Sequence, residues 1–319
     1  MRVLVALGGN ALLHPDEPVA VENQRRNAET AAHVIEEIAA DHEVIVTHGN
    51  GPQIGLLARQ SALAESAEDA RATGSAPLDA LGAETEGLIG YLLSQALRNA
   101  APEREIVSLL TQVEVDADDP GFARPTKPIG PVLDADDPRE RRGPADWTYA
   151  PDRGGLRRVV ASPEPRRVLE LPTIERLVEA GVIVICAGGG GIPVVRDHEG
   201  RLRGAEAVID KDLCSALLAA SLRCDRLLLL TDVEGIHPDW PERTRPIRSI
   251  TPRDLRRMPL DPGSMGPKAE AACRFAEGSG GHATIARLED GAAALRGEAG
   301  TRVTLGSDRG AAGRSIGAR

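Results

Sequence analysis

Short apolar runs alternate with helical patterns along most of this chain, and this alternation constrains its fold more than any other feature. The runs Val3–Leu7, Val44–Thr47, Val182–Ala187 and Leu227–Thr231 are almost continuously apolar rather than alternating with polar residues. Such strands are buried on both faces, as in a parallel sheet covered by helices. We therefore predict an α/β fold, a three-layer αβα sandwich with a central, mostly parallel sheet.

The other elements follow the same rhythm, with one exception. We predict helices over Glu22–Ala40, Leu78–Ala100, Pro172–Ala180, Asp210–Ser221, Lys268–Glu277 and Leu288–Leu295, strands over Ile106–Val115, Ala283–Ala286 and Thr301–Thr304, and a hairpin joining Val194–Arg196 to Leu202–Gly204.

The exception is Asp116–Pro165, which is rich in proline and charge and has little periodicity. It contains three of the chain's six aromatic residues, Phe122, Trp147 and Tyr149, which favours a folded lid or subdomain over a disordered insert. We expect a lid to close over bound ligand, and the tail Gly306–Arg319 to be mobile.

Glycine-rich turns follow three of the predicted strands: Gly8-Gly9-Asn10, Gly49-Asn50-Gly51 and Gly188–Gly191. In an open parallel sheet, ligands bind at the carboxyl ends of the strands, where these turns fall. Glycine lets an anion approach the backbone N–H groups closely. The turns therefore predict a phosphate site, although neither the dinucleotide fingerprint nor the P-loop motif is present.

Lysine is rare in this sequence. Of 38 basic residues only Lys127, Lys211 and Lys268 are lysines, so 38 − 3 = 35 are arginines. All three lie in glycine- or proline-rich or acidic strings: PTKPIG, VIDKDL and GSMGPK. A compact ammonium fits a tight pocket that excludes a guanidinium fork. We interpret them as a shared anion site, the alternative being three lysines left by drift in a GC-rich genome.

Two neighbouring motifs admit more than one interpretation. Asp210 begins a helix, so it caps that helix, pairs with a lysine, or both. Lys268 lies in the first turn of a helix, where a cation opposes the helix dipole, and this favours a role toward a ligand. Thr231 and Asp232 follow a buried strand and either border a nucleotide or form an ordinary turn.

Charge and cysteine content exclude several function classes. The net charge is 38 − 48 = −10, and no basic stripe is present, so we predict neither a nucleic-acid nor a membrane partner. No apolar run is long enough to span a bilayer, and we expect no targeting segment. The four cysteines form no C-x-x-C pair, which indicates free buried thiols in a reducing cytoplasm rather than metal ligands.

Taken in order, eight strings in this sequence resemble the carbamate kinases of the amino-acid kinase superfamily: VALGGNALL, THGNGPQIG, PTKPIGP, RRVVASPEP, AGGGGIPVV, EAVIDKDL, LLTDVEGI and GSMGPKAEAA. The resemblance extends from Arg2 to Thr304. Many relatives in the superfamily have a lysine just before the first double glycine, where this chain has Val5-Ala6-Leu7. Carbamate kinases are similar in lacking it, and the resemblance implies that the segment around Lys127 supplies the charge instead.

The resemblance implies an amino-acid kinase fold in one domain spanning residues 1–319. The N-lobe, 1–222, would lie on the carbamate side, with a protruding subdomain at about 118–165, and the C-lobe, 223–319, on the nucleotide side. It further implies a homodimer that transfers a phosphoryl group reversibly between ATP and carbamate, with Mg²⁺ held through the phosphates. The implied direction forms ATP, in arginine catabolism by the arginine deiminase pathway.

The residues then take the following expected roles. Gly8, Gly9 and Asn10 receive the phosphoryl group through backbone N–H groups; Gly49 and Asn50 hold carbamate; Lys127 contacts carbamate or the transferred group; Lys211 and Lys268 neutralise phosphate charge; Asp210 holds the lysines by ion pairing; Thr231, Asp232 and Met265 line the nucleotide cleft; and His48 is structural rather than a general base. Two alternatives stay open: another small-acid or phosphate kinase, such as an acetylglutamate kinase, and a non-catalytic sensor of carbamoyl phosphate or nucleotide.

Overall fold

The structure, a computed structural model, describes residues 1–13, 17–65, 76–136, 147–152, 154–239, 242, 245–261 and 263–306. The tail for which we predict mobility lies outside these residues, apart from Gly306.

The strands are β1 Arg2–Leu7, β2 Glu43–His48, β3 Ile106–Ser108, β4 Gln112–Val115, β5 Lys127–Leu133, β6 Thr148–Asp152, β7 Gly155–Val160, β8 Pro165–Val168, β9 Ile183–Ile185, β10 Ile192–Arg196, β11 Leu202–Gly204, β12 Arg226–Thr231, β13 Ser249–Ile250, β14 His282–Arg287 and β15 Thr301–Val303. The helices are α1 Gly9–Leu12, α2 Val21–Ala39, α3 Gly51–Glu65, α4 Leu78–Ala100, α5 Pro120–Ala123, α6 Leu171–Glu179, α7 Lys211–Ser221, α8 Pro252–Leu255, α9 Met265–Ser279 and α10 Gly291–Leu295.

An eight-stranded sheet forms the centre of the fold, with strand order β13-β15-β14-β12-β1-β2-β9-β3. Its strands are parallel except at the β14–β15 pair. Successive side chains of β1 face opposite sides: Val3 and Val5 join one apolar cluster with α2 and α4, whereas Leu4 and Ala6 join another with α7 and α9. Helices therefore cover both faces of the sheet, which confirms the predicted αβα sandwich.

The strand predicted over Ile106–Val115 is divided between two sheets. β3 ends at Ser108 beside β9 in the central sheet, and β4 begins at Gln112 between β10 and β8 in a separate four-stranded sheet. The break lies at Thr111, whose carbonyl accepts from Ile192 N–H and whose hydroxyl accepts from Ala187 N–H. The prediction of one continuous strand is wrong, because these hydrogen bonds hold the chain in the turn between the sheets.

Within the irregular segment Asp116–Pro165, β5, β7 and β6 form a three-stranded antiparallel sheet. We call this the protruding sheet. The guanidinium of Arg158 stacks over the ring of Trp147 at 3.5 Å from its centroid, one of the contacts that hold the sheet together. Lys127 is the first residue of β5, so the protruding sheet determines where its ammonium lies.

The protruding sheet meets the main body at a contact between two glycines. A Cβ built on Gly55, in α3, would overlap the Cα and N of Gly130, in β5. Gly130 itself has a φ of +72°, a conformation that L side chains rarely adopt. The two backbones can approach this closely only because neither residue has a side chain.

The first prediction concerns this contact. Gly55→Ala should lower the free energy of unfolding by about 1–3 kcal/mol, because the methyl group meets backbone that has no rotamer to change. Gly87→Ala is the matched control: Gly87 is exposed in α4 and its Cβ would lie 4.0 Å from the nearest atom, Leu110 Cδ2. Urea unfolding measures both variants, and equal stability of the two would contradict the prediction.

Candidate active site

The three glycine-rich turns lie side by side at one edge of the central sheet. They follow β1, β2 and β9, which are parallel and adjacent in the sheet. A Cβ on Gly49 would lie 2.8 Å from the Gly9 nitrogen, so the first two turns are in direct backbone contact. This arrangement confirms that the turns share the carboxyl edge of the sheet.

Not every N–H group of these turns is available to a ligand. Gly8 N–H donates to Leu230 O at 2.8 Å and Gly49 N–H donates to Leu7 O at 3.0 Å, so both extend the sheet ladder. The expectation that Gly8 gives its N–H to a phosphoryl group is therefore corrected. The N–H of Gly9 begins helix α1, where the first N–H groups have no partner within the helix.

The three lysines converge on one cavity. Lys127 comes from β5, Lys211 is the first residue of α7, and Lys268 lies in the first turn of α9. All three line a cavity of about 140 Å³, together with the glycine-turn residues Gly9, Gly49, Asn50 and Gly189 and the carboxylates Asp210 and Asp212. Residues far apart in the chain therefore form a cationic pocket beside the glycine turns.

Asp210 has the two functions that its position permits, one for each oxygen. Its Oδ1 caps α7 by accepting from the N–H groups of Asp212, at 2.9 Å, and Leu213, at 3.1 Å. Its Oδ2 forms an ion pair with Lys127. The cap fixes the carboxylate, and the carboxylate in turn holds the ammonium of the protruding sheet over the cavity.

The sequence analysis expected Asp210 to hold all three lysines, but a different carboxylate holds Lys211 and Lys268. That residue is Asp212, whose Oδ1 lies 2.5 Å from Lys211 Nζ and whose Oδ2 lies 3.4 Å from Lys268 Nζ. The sequence analysis assigned no role to Asp212. The signal that could have identified it was the acidic residue on each side of Lys211.

Burial and charge act in opposite directions on these groups. Burial lowers the pKa of Lys211, and repulsion from Lys268 adds to this, whereas Asp212 opposes it. For Lys268, burial alone would lower the pKa, but the carboxylates of Asp212, Asp210 and Asp232 outweigh it and raise the pKa. The pKa of Asp212 is well below its usual range, because its two lysines outweigh the effect of burial. The Asp212 carboxylate thus lies between the side-chain nitrogens of Lys211 and Lys268.

His48 and Glu86 are buried behind the glycine turns. Burial lowers the pKa of His48 to about 4, so the ring is neutral at pH 7. Both side chains contact Gly188: a Cβ there would overlap the His48 ring and lie 3.0 Å from Glu86 Cγ. Glu86 accepts from Gly188 N–H at 2.8 Å and from Thr111 N–H at 3.2 Å. Sequence analysis missed Glu86, which lies in a helix far from the glycine motifs.

A second cavity, of about 440 Å³, borders the C-terminal half of the sheet. Thr231, Asp232 and Met265 all line it, with Gly235, His237 and Ser264. Ser264 also lines the lysine cavity, so the two spaces adjoin. A wider cleft of about 850 Å³ separates the protruding sheet from residues 255–261 and 263–270. Both volumes lie in the range of small-molecule binding sites.

The residues at this site offer little direct coordination to a metal ion. Among the described residues, no group of three His, Cys, Asp or Glu side chains could hold one. Asp210 and Asp212 already pair with lysines. Such a set of residues would suit a Mg²⁺ ion that takes most of its ligands from phosphate oxygens and water.

The four cysteines are free and buried, and none of them lines the lysine cavity. Burial raises the pKa of Cys224 to about 12 and of Cys273 to about 11, so these thiols are protonated at neutral pH.

In the part of the chain that the structure describes, no helix is both long and apolar enough to cross a membrane.

Sequence and structure comparisons assign the chain to a family. The profile of the Amino acid kinase family matches residues 1–287, and the chain therefore belongs to this family. Carbamate kinase from Rhizobium meliloti (strain 1021) is 50% identical over 309 residues, with 95% of this chain and 93% of the relative covered. Carbamate kinase from Haemophilus influenzae is 46% identical over 306 residues, with 95% and 97% covered. Within the family, this chain groups with the carbamate kinases.

Solved structures agree with this grouping. Carbamate kinase from Giardia lamblia bound to citric acid superposes with a TM-score of 0.85 at 37% identity, covering 95% of this chain and 98% of that one. The same enzyme bound to AMP-PNP gives a TM-score of 0.81 at 36% identity with the same coverage.

The second prediction concerns Glu86. Burial raises its pKa from 4.5 to about 8, outweighing its two backbone donors. Because the folded state holds this proton more tightly than the unfolded state, stability contributed by Glu86 is complete below pH 4.5 and is lost as pH rises to about 8. Between these values, Glu86→Gln should flatten the pH dependence of the unfolding free energy by up to about 1.4 kcal/mol per pH unit.

Chemical unfolding between pH 5 and 8 measures this slope. Glu84→Gln, an exposed change on the same helix, is the control and should keep the wild-type slope. A Glu86→Gln slope equal to that of Glu84→Gln would contradict the prediction.

Proposed function

We propose that this protein is a carbamate kinase, which catalyses the reversible reaction carbamoyl phosphate + ADP = ATP + carbamate. The convergence of Lys127, Lys211 and Lys268 on one cavity beside the glycine turns supports it most directly. The adjoining cavity bordered by Thr231 and Met265 offers space for the nucleotide. The names and high identity of the relatives point to the same reaction.

In the ATP-forming direction, a terminal phosphate oxygen of ADP attacks the phosphorus of carbamoyl phosphate. The bond from phosphorus to the carbamoyl oxygen breaks, and carbamate leaves with the electron pair. No proton has to move, so the reaction needs no general base. This agrees with a His48 that is buried and neutral. Catalysis of this kind depends on alignment and on neutralising phosphate charge.

Each side chain then has a part in that alignment. The N–H groups of Gly9 and Asn10 receive the transferred group, and Asn50 lies against the carbamoyl end. Lys211 and Lys268 neutralise oxygens of the transferred group and the nucleotide. Lys127, held by Asp210, approaches from the protruding sheet. With three lysines, Arg157 and two aspartates, the residues lining the pocket have a net charge of 4 − 2 = +2, which favours an anionic ligand.

Mg²⁺, when bound, would neutralise nucleotide phosphate charge from the phosphate oxygens themselves. Ser264, which lines both the lysine cavity and the nucleotide cavity, and Lys268, which lines the lysine cavity, would then lie near the phosphates.

The direct test of this proposal is ATP formation from ADP and carbamoyl phosphate, measured by a coupled assay. We expect robust turnover that requires Mg²⁺. An acetylglutamate kinase or a non-catalytic sensor would give none, so absence of ATP formation would reject the proposed function.

The third prediction concerns Lys127. Lys127→Arg keeps the charge, but the wider guanidinium cannot occupy the same point contact with Asp210 and the substrate. We expect turnover to fall by at least about 100-fold, the scale for losing one oriented transition-state contact. Arg124→Lys, an exposed change a few residues away, is the charge-conserving control. Near-normal turnover of Lys127→Arg would refute this role.

We also propose that the protein acts in the cytoplasm, in arginine catabolism, as a homodimer. The surface that best suits a second copy is an apolar patch on α4 and the turn after β3. Leu88 and Tyr91 are exposed on α4, one helical turn apart. Leu110, exposed in the turn after β3, lies beside Gly87 of the same helix. Side chains of this size are normally covered when they cluster.

The fourth prediction tests this patch. Leu110→Asp should convert dimers to monomers, because it places an unpaired charge in an apolar interface. Light scattering after size exclusion measures the mass, with Leu305→Asp, another exposed leucine outside the patch, as the control. A dimer that persists in Leu110→Asp would place the interface elsewhere.

A further inference from the structure

We propose that Thr85 sets the substrate specificity of the site by fixing the orientation of the Asn50 side chain, so that Asn50 accepts a hydrogen bond from the NH₂ group of the substrate. This inference rests on the proposed carbamate kinase activity. Thr85 belongs to none of the glycine or lysine motifs and lies in the middle of α4.

Two hydrogen bonds determine which way the Asn50 amide points. The hydroxyl of Thr85 donates its one hydrogen to Gly82 O at 2.9 Å. It can then only accept from Asn50, and Asn50 Nδ2 donates to it at 2.9 Å. Thr85 is fully buried, so no water competes for either bond. The NH₂ end of the amide is thereby directed into the protein.

The other end of the amide is directed to the substrate. Asn50 lines the lysine cavity, and its Oδ1 accepts no hydrogen bond from the described residues. The amide lies flat against Gly189, where a Cβ would overlap its Nδ2 and lie 2.5 Å from its Oδ1. Gly189 is held in turn through its neighbour Gly188, whose N–H donates to Glu86. Consecutive residues of α4, Thr85 and Glu86, therefore fix the amide and the surface on which it rests.

An acceptor at this position distinguishes between small acyl phosphates. Carbamoyl phosphate has an NH₂ group that can donate to Asn50 Oδ1, whereas the methyl group of acetyl phosphate cannot. A buried acceptor left without a donor raises the free energy of the complex. A site with such an acceptor therefore discriminates against a substrate analogue that has no N–H at that position. If the amide could rotate, its NH₂ end would face the cavity and this preference would be lost.

The experiment compares kcat/KM for carbamoyl phosphate with kcat/KM for acetyl phosphate, each with ADP. Thr85→Val keeps the shape of the side chain but removes the hydroxyl, so the amide can rotate. We expect the ratio to fall at least about tenfold, with the KM for ADP unchanged, since Asn50 does not line the cavity proposed for the nucleotide. Thr85→Ser, which retains the hydroxyl, should keep the wild-type ratio.

Ser94→Ala is the matched control, because Ser94 makes the same kind of bond within α4, to Tyr91 O at 3.0 Å, away from Asn50. If Thr85→Val does not fold, Thr85→Ala gives the same test without the extra methyl group in the buried site. An unchanged ratio, or equal losses with both substrates, would overturn the inference. Absence of wild-type activity with carbamoyl phosphate would instead reject the proposed function, so the two failures are distinguishable.

Discussion

Two aspartates at the start of α7 hold together three lysines from distant parts of the chain, and the rest of the site depends on this interaction. Without Asp210 and Asp212, three ammonium groups around a cavity of about 140 Å³ would repel one another. Asp210 is fixed by capping the helix, and Asp212 follows it within the same first turn. Negative charge at a helix N-terminus is itself favourable, so the fold stabilises the carboxylates that the lysines require.

The sheet and the protruding sheet contribute different parts of the site. Parallel strands bring the glycine turns to one edge of the sheet, where the N–H of Gly9 begins α1. Lys127 comes from outside that sheet, and its position depends on how β5 rests on α3. The contact of Gly55 with Gly130 sets that distance through backbone alone, which gives it less freedom than a contact between side chains.

The features that could be predicted from the sequence are those marked by a short run of neighbouring residues. The buried strands, the glycine turns and the three lysines could be predicted because each leaves a short signature. Thr85 and Glu86 could not, since Glu86 and Gly188 are 102 residues apart and nothing local marks the pair. The break of Ile106–Val115 into two strands was missed for the same reason: the hydrogen bonds that divide it come from Ala187 and Ile192.

The way in which the aspartate oxygens are shared among the lysines also explains why these three positions are lysine in a chain with 35 arginines. Asp212 gives one oxygen to Lys211 and the other to Lys268. A guanidinium tends to bind both oxygens of a carboxylate with its two parallel N–H groups. An arginine at either position would therefore occupy the whole carboxylate and leave the second cation unpaired. Asp210, with one oxygen committed to the helix cap, likewise has a single oxygen for Lys127. Lysine fits these three positions because its compact ammonium group needs only one carboxylate oxygen as a partner.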